Sequence, residues 1–473
     1  MSDPGPRPAL HPSILREYDI RGILGETLSA DDARVIGCAF GSIVGKGGGA
    51  SVCVGRDGRL SSPELEQALV EGLASTGLEV RRVGLGPTPM LYFAVRHTGA
   101  AAGIMVTGSH NPPDHNGFKM LLDKRPFYGT DIALLGRIAA EAAFRRGKGR
   151  VVETPVAEAY VERLLQDWDG GERALTVVWD PGNGAAGAVL PQLIDGLPGN
   201  HIILNGAVDG TFPAHHPDPT EPETLEQLRA AVLREGADVG VAFDGDGDRI
   251  GLLDGRGRIL WGDQMLALLA EPVLEERPGA PIIADVKASQ ALFDHIAALG
   301  GTPLMYRTGH SLIKAYMTEV GAPLAGEMSG HIFFADRYYG FDDALYAAVR
   351  LLGMVAGWPE GETLATRLDA MPKPINTPEL RFPCPDSEKF AVMGRVKETL
   401  TERGATFSDV DGVRVSRDDG WWLLRASNTQ AVLVARCEAG TPAGLERLKA
   451  DLSETLAGVG MPVPPEVLNV KAG

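Results

Sequence analysis

Short apolar runs alternate with amphipathic stretches along most of the chain. Residues 51–55 (SVCVG) carry an apolar run after Ser51 and end on glycine, the pattern of a buried strand. Residues 63–76 (PELEQALVEGLAST) place apolar side chains at helical spacing, with Ser62 as N-cap, Pro63 in the first position and Gly77 closing the end. Residues 102–107 (AGIMVT) form the next apolar strand. The pattern then restarts. Residues 176–180 (TVVWD) lead into the loop 181–187 (PGNGAAG) and a helix. Residues 238–243 (DVGVAF) end on acidic residues, and 281–286 (PIIADV) precede a helix from Ser289. Such alternation predicts βαβ units with largely parallel or mixed sheets, and three α/β units of about 100 residues each fit it.

Near residues 372–378 (PKPINTP) the chain becomes proline-rich. Beyond lies a shorter segment with two helical and two strand patterns, which reads as an α+β domain. Only this linker joins that domain to the rest in sequence, so hinge motion is expected there. A chain of 473 residues is too long for one compact core. The predicted domains are 1–154, 155–258, 259–371 and 372–473.

Composition narrows the class. Apolar residues make up 44% and charged residues 23%, as in soluble globular proteins. The formal net charge of −17 disfavours nucleic acid and anionic membrane as partners. It also makes isolated Lys and Arg residues in loops candidates for gripping an anionic ligand. Cys38, Cys53, Cys384 and Cys437 lie far apart without a CxxC pair, so no zinc site, redox motif or disulfide is expected, and a reduced cytoplasm fits. The first eight residues (MSDPGPRP) lack an apolar stretch, so no signal peptide is expected, and no apolar run reaches the ~18 residues of a membrane span.

In α/β sheets ligands bind beyond the carboxyl ends of strands, and four unusual polar loops sit beside apolar strands. Residues 106–113 (VTGSHNPP) put Ser109 after a glycine, with His110 beside it. The spacing is not the GxSxG elbow of hydrolases, and alone it also reads as a turn. Residues 244–249 (DGDGDR) carry Asp244, Asp246 and Asp248 around two glycines, followed by Arg249. Three carboxylates after a buried strand repel one another and need a cation, and an all-oxygen set suits Mg²⁺. An EF-hand is excluded because Arg249 and Gly255 occupy its glycine and glutamate positions. Residues 326–331 (GEMSGH) offer Glu327, Ser329 and His331 to neighbouring sugar hydroxyls, or form a polar surface turn. Residues 425–429 (RASNT) place Arg425, Ser427, Asn428 and Thr429 before the strand AVLVARC, a set suited to a phosphate dianion or to a turn. Smaller pieces are Tyr18, Asp19 and Arg21 in EYDIRG, Lys119 in NGFK, Lys287, and Arg307, Gly309 and His310 in RTGH.

Together these motifs closely resemble the α-D-phosphohexomutase superfamily. EYDIRG, the serine loop, DGDGDR, GEMSGH and RASNT occur in the family's order across residues 17 to 429. The forms TGSHNPP and GEMSGH are similar to its bacterial phosphomannomutase/phosphoglucomutase branch, whereas phosphoglucosamine mutases usually carry Gln in place of Met328. The resemblance implies three similar α/β domains with mixed sheets plus a C-terminal α+β domain around a central cleft, each giving one loop. It implies a phosphoserine at Ser109, Mg²⁺ held by Ser109, Asp244, Asp246 and Asp248, and sugar contacts from Glu327 and Ser329. It implies exchange of a phosphate between C1 and C6 of mannose or glucose through a hexose 1,6-bisphosphate that turns in the cleft. Arg21, His110, Lys119, Arg249 and His310 would serve the reacting end. Tyr18, Lys287, Arg307, Gly309, His331 and the 425–429 loop would hold the substrate. The general acid/base stays open among Lys119, Arg21, His110 and His310. A cytoplasmic monomer is expected. The alternatives are a metal-dependent sugar phosphatase and a non-catalytic phosphosugar sensor.

Overall fold

The structure, a computed structural model, describes residues 10–171, 173–427, 431–461 and 463. Four sheets follow one another along the chain. The first has seven strands. Its main path runs Ile20–Ile23, His115–Leu122, Ala102–Val106, Ser51–Arg56, Glu79–Leu85 and Arg150–Glu153. The second runs Ile259–Leu260, Ile250–Asp254, Val239–Phe243, Leu175–Asp180, Gly199–Ile203. The third runs Thr302–Tyr306, Pro281–Asp285, Leu324–Gly326, Ile332–Phe334. All three are mixed, as the sequence pattern predicts.

These three sheets repeat one arrangement that no sequence repeat announces. In each, a buried strand has a parallel partner on one side and an antiparallel partner on the other. The antiparallel partner follows at once in sequence, so the connection is a hairpin loop. The pairs Val106↔Phe118, Phe243↔Ile250 and Gly326↔Ile332 leave the loops 107–117, 244–249 and 327–331. In the fourth, wholly antiparallel sheet the pair Ala426↔Leu433 leaves 427–432. Backbone bonds close the loops: Thr107 N to Gly117 O at 3.0 Å, Asp244 N to Arg249 O at 3.2 Å, Glu327 N to His331 O at 2.9 Å and Ser427 N to Val432 O at 3.0 Å. The serine, carboxylate and GEMSGH motifs are therefore hairpins at sheet ends, whereas RTGH joins the strand Thr302–Tyr306 to the helix His310–Val320.

The predicted strands are present within a residue or two. The helix predicted from Pro63 runs Ser62–Ala74 with Ser61 in the cap position. Ser62 does not cap it, because its hydroxyl donates to Asp57 at 2.5 Å. The C-terminal unit has the two helices Lys389–Glu402 and Pro442–Gly458 but six strands rather than two. Gly420–Ala426 and Val432–Ala439 carry the long apolar runs; Val413–Arg417 is broken by Arg414 and Ser416, and Ile375–Asn376 and Phe407–Ser408 have two residues each. The second sheet also runs two residues past 258, through Ile259–Leu260.

The first unit has a core of its own around Phe40, Val54, Ile104 and Phe118, and a larger one, separate from the fourth unit's, links the first three. This larger core runs from Leu91 and Phe93 through Tyr160, Trp179 and Phe243 to Leu266, Phe334 and Tyr346. The fourth unit has its own core around Phe382, Val396, Trp422 and Leu448. The linker is not its only attachment. The linker itself joins the fourth unit's sheet, since Ile375–Asn376 pairs with Val432–Ala439 and Thr377 Oγ1 accepts from Cys437 N at 3.0 Å; contacts from the third unit add to it. Buried Arg414 donates to the carbonyls of Val286 and Ala288, both at 2.9 Å, and lies 3.8 Å over the Trp421 ring. Glu438 Oε1 accepts from Ser289 Oγ at 3.0 Å and Gln290 N at 2.9 Å. The expectation of attachment by the linker alone is thus corrected, since composition reveals the covalent joint and not these contacts. Among the described residues no helix is long and apolar enough to cross a membrane.

Candidate active site

Ser109 sits where the strand Ala102–Val106 gives way to its hairpin. It is 2% exposed, with φ +50°, a left-handed conformation uncommon for a residue with a Cβ. Its hydroxyl donates to Asp244 Oδ2 at 3.1 Å and lies 3.3 Å from His110 Nδ1. The carboxylate loop comes from the second sheet and presses close. A Cβ on Gly245 would lie 2.4 Å from the Ser109 carbonyl oxygen, so only glycine fits.

Asp244, Asp246 and Asp248 offer ligand oxygens within 4.8 Å of one another, and all three are fully buried. Asp244 Oδ1 folds the loop by accepting from the backbone N–H of Asp248 and Arg249, both at 3.1 Å. Asp246 Oδ2 accepts from Thr88 Oγ1 at 2.5 Å and from Lys119 Nζ at 2.7 Å, and Lys119 also pairs with Asp248. Asp246 Oδ1 and Asp248 Oδ1 have no hydrogen-bond donor. A buried carboxylate oxygen without a partner is costly, so this donor set fits a hard cation. Burial and the charges of Asp246 and Asp248 push the Asp244 carboxyl well above its usual range. Burial opposes the charge of Lys119 as well, yet the three aspartates hold its ammonium above the ordinary lysine value.

Two further loops close the cleft. Gly309, at φ +138°, packs on Tyr18: a Cβ there would lie 2.7 Å from the tyrosine ring. Tyr18 donates to Thr308 O at 2.9 Å, and Gly309 N donates to Glu327 Oε1 at 2.7 Å. EYDIRG, RTGH and GEMSGH therefore meet in space. Arg21 reaches Asn111 Oδ1 at 2.6 Å and Asp19 Oδ2 at 2.5 Å. Arg249 Nε donates to His331 Nε2 at 3.1 Å, so the His331 proton lies on Nδ1, which donates to Asp248 O at 3.1 Å. His310 stacks on His331 with centroids 5.4 Å apart. Burial, then Arg249, Arg21 and Lys119, hold His110 well below the usual imidazole range; burial and Lys314 lower His310.

At the far side, Arg425 Nε donates to Asp411 Oδ2 at 2.8 Å, and Asp411 also accepts from Thr308 N at 3.1 Å. The Ser427 carbonyl accepts from Lys389 Nζ at 2.6 Å. Lys287 Nζ lies 3.5 Å from Glu379 Oε2 and 3.9 Å from buried Asp285, which burial raises to about 6 with Lys287 pulling back. One cleft of about 1440 Å³ is lined by Tyr18, Arg21, Ser109, His110, Lys119, Arg249, Lys287, Gly309, His310, Glu327, Ser329, His331, Arg425 and Ser427. The aspartate triplet lies directly beneath it. Arg307 does not line it: exposed, it donates to Val410 O at 3.1 Å between the third and fourth units. Asn428 and Thr429 lie outside the described residues.

Several contributors were not singled out from sequence. Thr88 braces Asp246, and Asp411 braces Arg425. Fully buried Asp342 accepts from Lys314 at 2.6 Å and faces His331 Nδ1 at 3.1 Å and His310 Nδ1 at 3.4 Å. Asp218, Thr220 and Glu221 also line the cleft. The pair Asp342–Asp343 directly ahead of the apolar helical stretch from Ala344 was the available signal for one of them.

Fold and site together define a class: four sheet-based units, each giving one hairpin loop to a single cleft, with a serine over a buried carboxylate cluster at its floor. Known proteins share this plan in the same order. The models described as phosphoglucomutase/phosphomannomutase alpha/beta/alpha domains I, II and III match residues 12–144, 158–257 and 261–375, and the C-terminal domain model matches 379–455. The chain belongs to the phosphoglucomutase/phosphomannomutase family. A phosphomannomutase/phosphoglucomutase of Pseudomonas aeruginosa is 44% identical over 97% of this chain and 98% of its own. One from Pseudomonas putida is 46% identical over 93% and 95%. A crystal structure of a family protein from Burkholderia thailandensis, 43% identical, superposes with a TM-score of 0.89 over 97% of this chain and 99% of that one.

Proposed function

We propose that this chain is a magnesium-dependent phosphohexomutase that interconverts the 6- and 1-phosphates of mannose, glucose or both. Ser109 carries the phosphoryl group and hexose 1,6-bisphosphate is the intermediate. The observation that carries the reading is Ser109 Oγ lying 3.1 Å from Asp244 in the buried triplet, at the floor of a 1440 Å³ cleft. That volume exceeds the ~300–1,000 Å³ of ordinary small-ligand pockets and supports a bisphosphate turning end for end.

Ser109, Asp244, Asp246 and Asp248 would hold the cation, and Mg²⁺ is the ion their all-oxygen set suits. Bound there, it neutralises charge on the phosphoserine oxygens and on the leaving serine oxygen. The chain's own residues do the rest. Lys119 and Arg249 surround the transferring group with positive charge, and Arg21, fixed by Asp19 and Asn111, adds a third cation. Glu327 and Ser329 orient sugar hydroxyls, with Glu327 held by Gly309 N. Lys287 and the 425–429 loop keep the unreacting phosphate in place, so remote binding aligns the reacting hydroxyl. The cleft brings all four general-base candidates, Arg21, Lys119, His110 and His310, to its lining. Four free cysteines fit the cytoplasm.

The phosphatase and sensor readings are not supported by relatives named as mutases over nearly their whole length. The test is to supply mannose, glucose and glucosamine 6-phosphates side by side, with a catalytic amount of bisphosphate. The 1-phosphate isomer should form from mannose or glucose phosphate. Release of inorganic phosphate without isomer would reject the mutase reading.

A further inference from the structure

A buried arginine outside every motif discussed above holds the serine loop together. Arg59 follows the strand Ser51–Arg56 and its side chain is wholly inaccessible to solvent. Its guanidinium bonds four backbone carbonyls of one loop: Nη1 to Pro112 O at 2.5 Å and His115 O at 3.0 Å, Nη2 to Ser109 O at 2.7 Å and Asn111 O at 2.6 Å. Its Nε lies 3.2 Å from Asp57 Oδ2, which also accepts from Gly108 N at 3.2 Å. The guanidinium is so close that a Cβ on Gly108 would lie 2.5 Å from Nε. Phe212 of the second unit covers it, with the guanidinium carbon 5.1 Å from the ring centroid.

This arrangement solves a specific problem. A loop that carries a phosphate dianion must keep its carbonyl oxygens away from it, because they repel negative charge. Hairpin 107–117 is irregular between residues 108 and 114: Asn111 N and His115 N bond to Gly108 O and Pro112 O in turns, while the Ser109 and Asn111 carbonyls are left for a side chain to direct. Arg59 engages four of them at once, including the carbonyl of Ser109 itself. It also fixes the chain on both sides of Ser109, at Gly108 through Asp57 and at Asn111 directly. The left-handed Ser109 is therefore held by bonds to its own carbonyl and N–H and at its neighbours, not by its own preference.

We propose that Arg59 is a positioning residue for phosphoryl transfer: its guanidinium turns the serine loop's carbonyls inward and aims phospho-Ser109 at the sugar hydroxyl instead of at water. The inference rests on Ser109 being the phosphoryl carrier. In the reaction guarded against, a water oxygen bonds to phosphorus, the bond from Ser109 Oγ to phosphorus breaks, and the water's proton ends on Oγ. Free serine and inorganic phosphate result.

The test uses the full chain with Arg59→Lys, which keeps charge and approximate length but lacks the planar four-donor fork. Arg59→Met is the second variant. Phospho-Ser109 lifetime without sugar is followed by intact mass, alongside kcat, KM and circular dichroism. With the wild-type spectrum retained, Arg59→Lys should leave KM within about threefold, lower kcat at least tenfold and shorten the phosphoserine lifetime at least tenfold, since misplacement by about 1 Å costs rate more than binding. Unchanged lifetime and kcat in folded Arg59→Lys would overturn the proposal, even if Arg59→Met fails to fold. Wild-type protein that never carries phosphate on Ser109 would overturn the carrier reading and this inference together, which separates the two failures.

Discussion

The two ends of the cleft are built differently. At the carboxylate end, the sheets that give the serine and metal loops share a core through Met105 and Leu121 of the first and Val241 and Phe243 of the second, and the three aspartates are buried together with Lys119. At the other end, Arg425 and Ser427 belong to a unit with a separate core. That unit is joined to the third by individual polar contacts such as Arg414 with two carbonyls and Glu438 with Ser289, and by a small cluster of Val286, Trp421 and Leu423. Phosphoryl transfer rewards fixed geometry, whereas a grip on the distant phosphate has to let go when the intermediate turns. A fused core suits the first task and a jointed polar interface suits the second.

The largest effect should come from the fused end. Asp246→Asn removes one negative ligand and leaves Lys119 with less to balance it. Turnover should fall by roughly two decades or more, with a higher Mg²⁺ requirement, in a metal titration of activity. Wild-type turnover at low Mg²⁺ would remove the triplet from the mechanism and erase the contrast.

Arg425→Ala should cost less, and mainly in binding. Losing a charge-assisted contact is worth about 1.5–3 kcal/mol, or about one to two decades in affinity. The variant should keep its fold and its phosphoserine. Asp411→Asn sharpens the point: it leaves Arg425 in place but weakens its support, so KM should rise by less than in Arg425→Ala. A larger loss in Asp411→Asn would mean that the Arg307–His310 loop, tied to Asp411 through Thr308 N, matters more than the arginine.

The last effect is on stability rather than turnover and concerns the fused core. Asp343 is wholly buried, and burial pushes its carboxyl up to about 7 although Tyr346 N, Tyr338 and Tyr160 donate to it. Between about pH 4 and about pH 7 the folded chain keeps a proton that an unfolded one has released. The contribution to stability therefore falls as pH rises through that window, by at most about 1.4 kcal/mol per unit. Asp343→Asn should flatten the drop in thermal midpoint between pH 5 and pH 7. Superimposable profiles would mean that Asp343 does not titrate there.

The motifs were legible because their chemistry demands residue types that structure alone rarely assembles. Three aspartates with two glycines after a buried strand have few purposes, and the order of five loops made the reading specific. The hairpin plan was not legible, since an antiparallel strand such as Ile332–Phe334 is three residues long and shows no period. Arg59, Thr88, Asp342 and Asp411 escaped notice for another reason. Each acts across the fold on a partner 14 to 158 residues away, as Arg425 with Asp411 and Thr88 with Asp246 show. Their importance lies in contact and not in local pattern. The linker misled in the same way, because the polar joints beside it leave no mark on composition.

The central claim is that Ser109 is the covalent carrier. The most direct measurement is intact-mass analysis with fragment mapping after exposure to hexose 1,6-bisphosphate labelled in its phosphates, followed by a chase with unlabelled hexose monophosphate. Wild-type protein should carry one labelled phosphoryl group on Ser109 and yield labelled bisphosphate in the chase, while Ser109→Ala carries none and turns over at background. Label on another residue, or wild-type turnover in Ser109→Ala, would contradict the account.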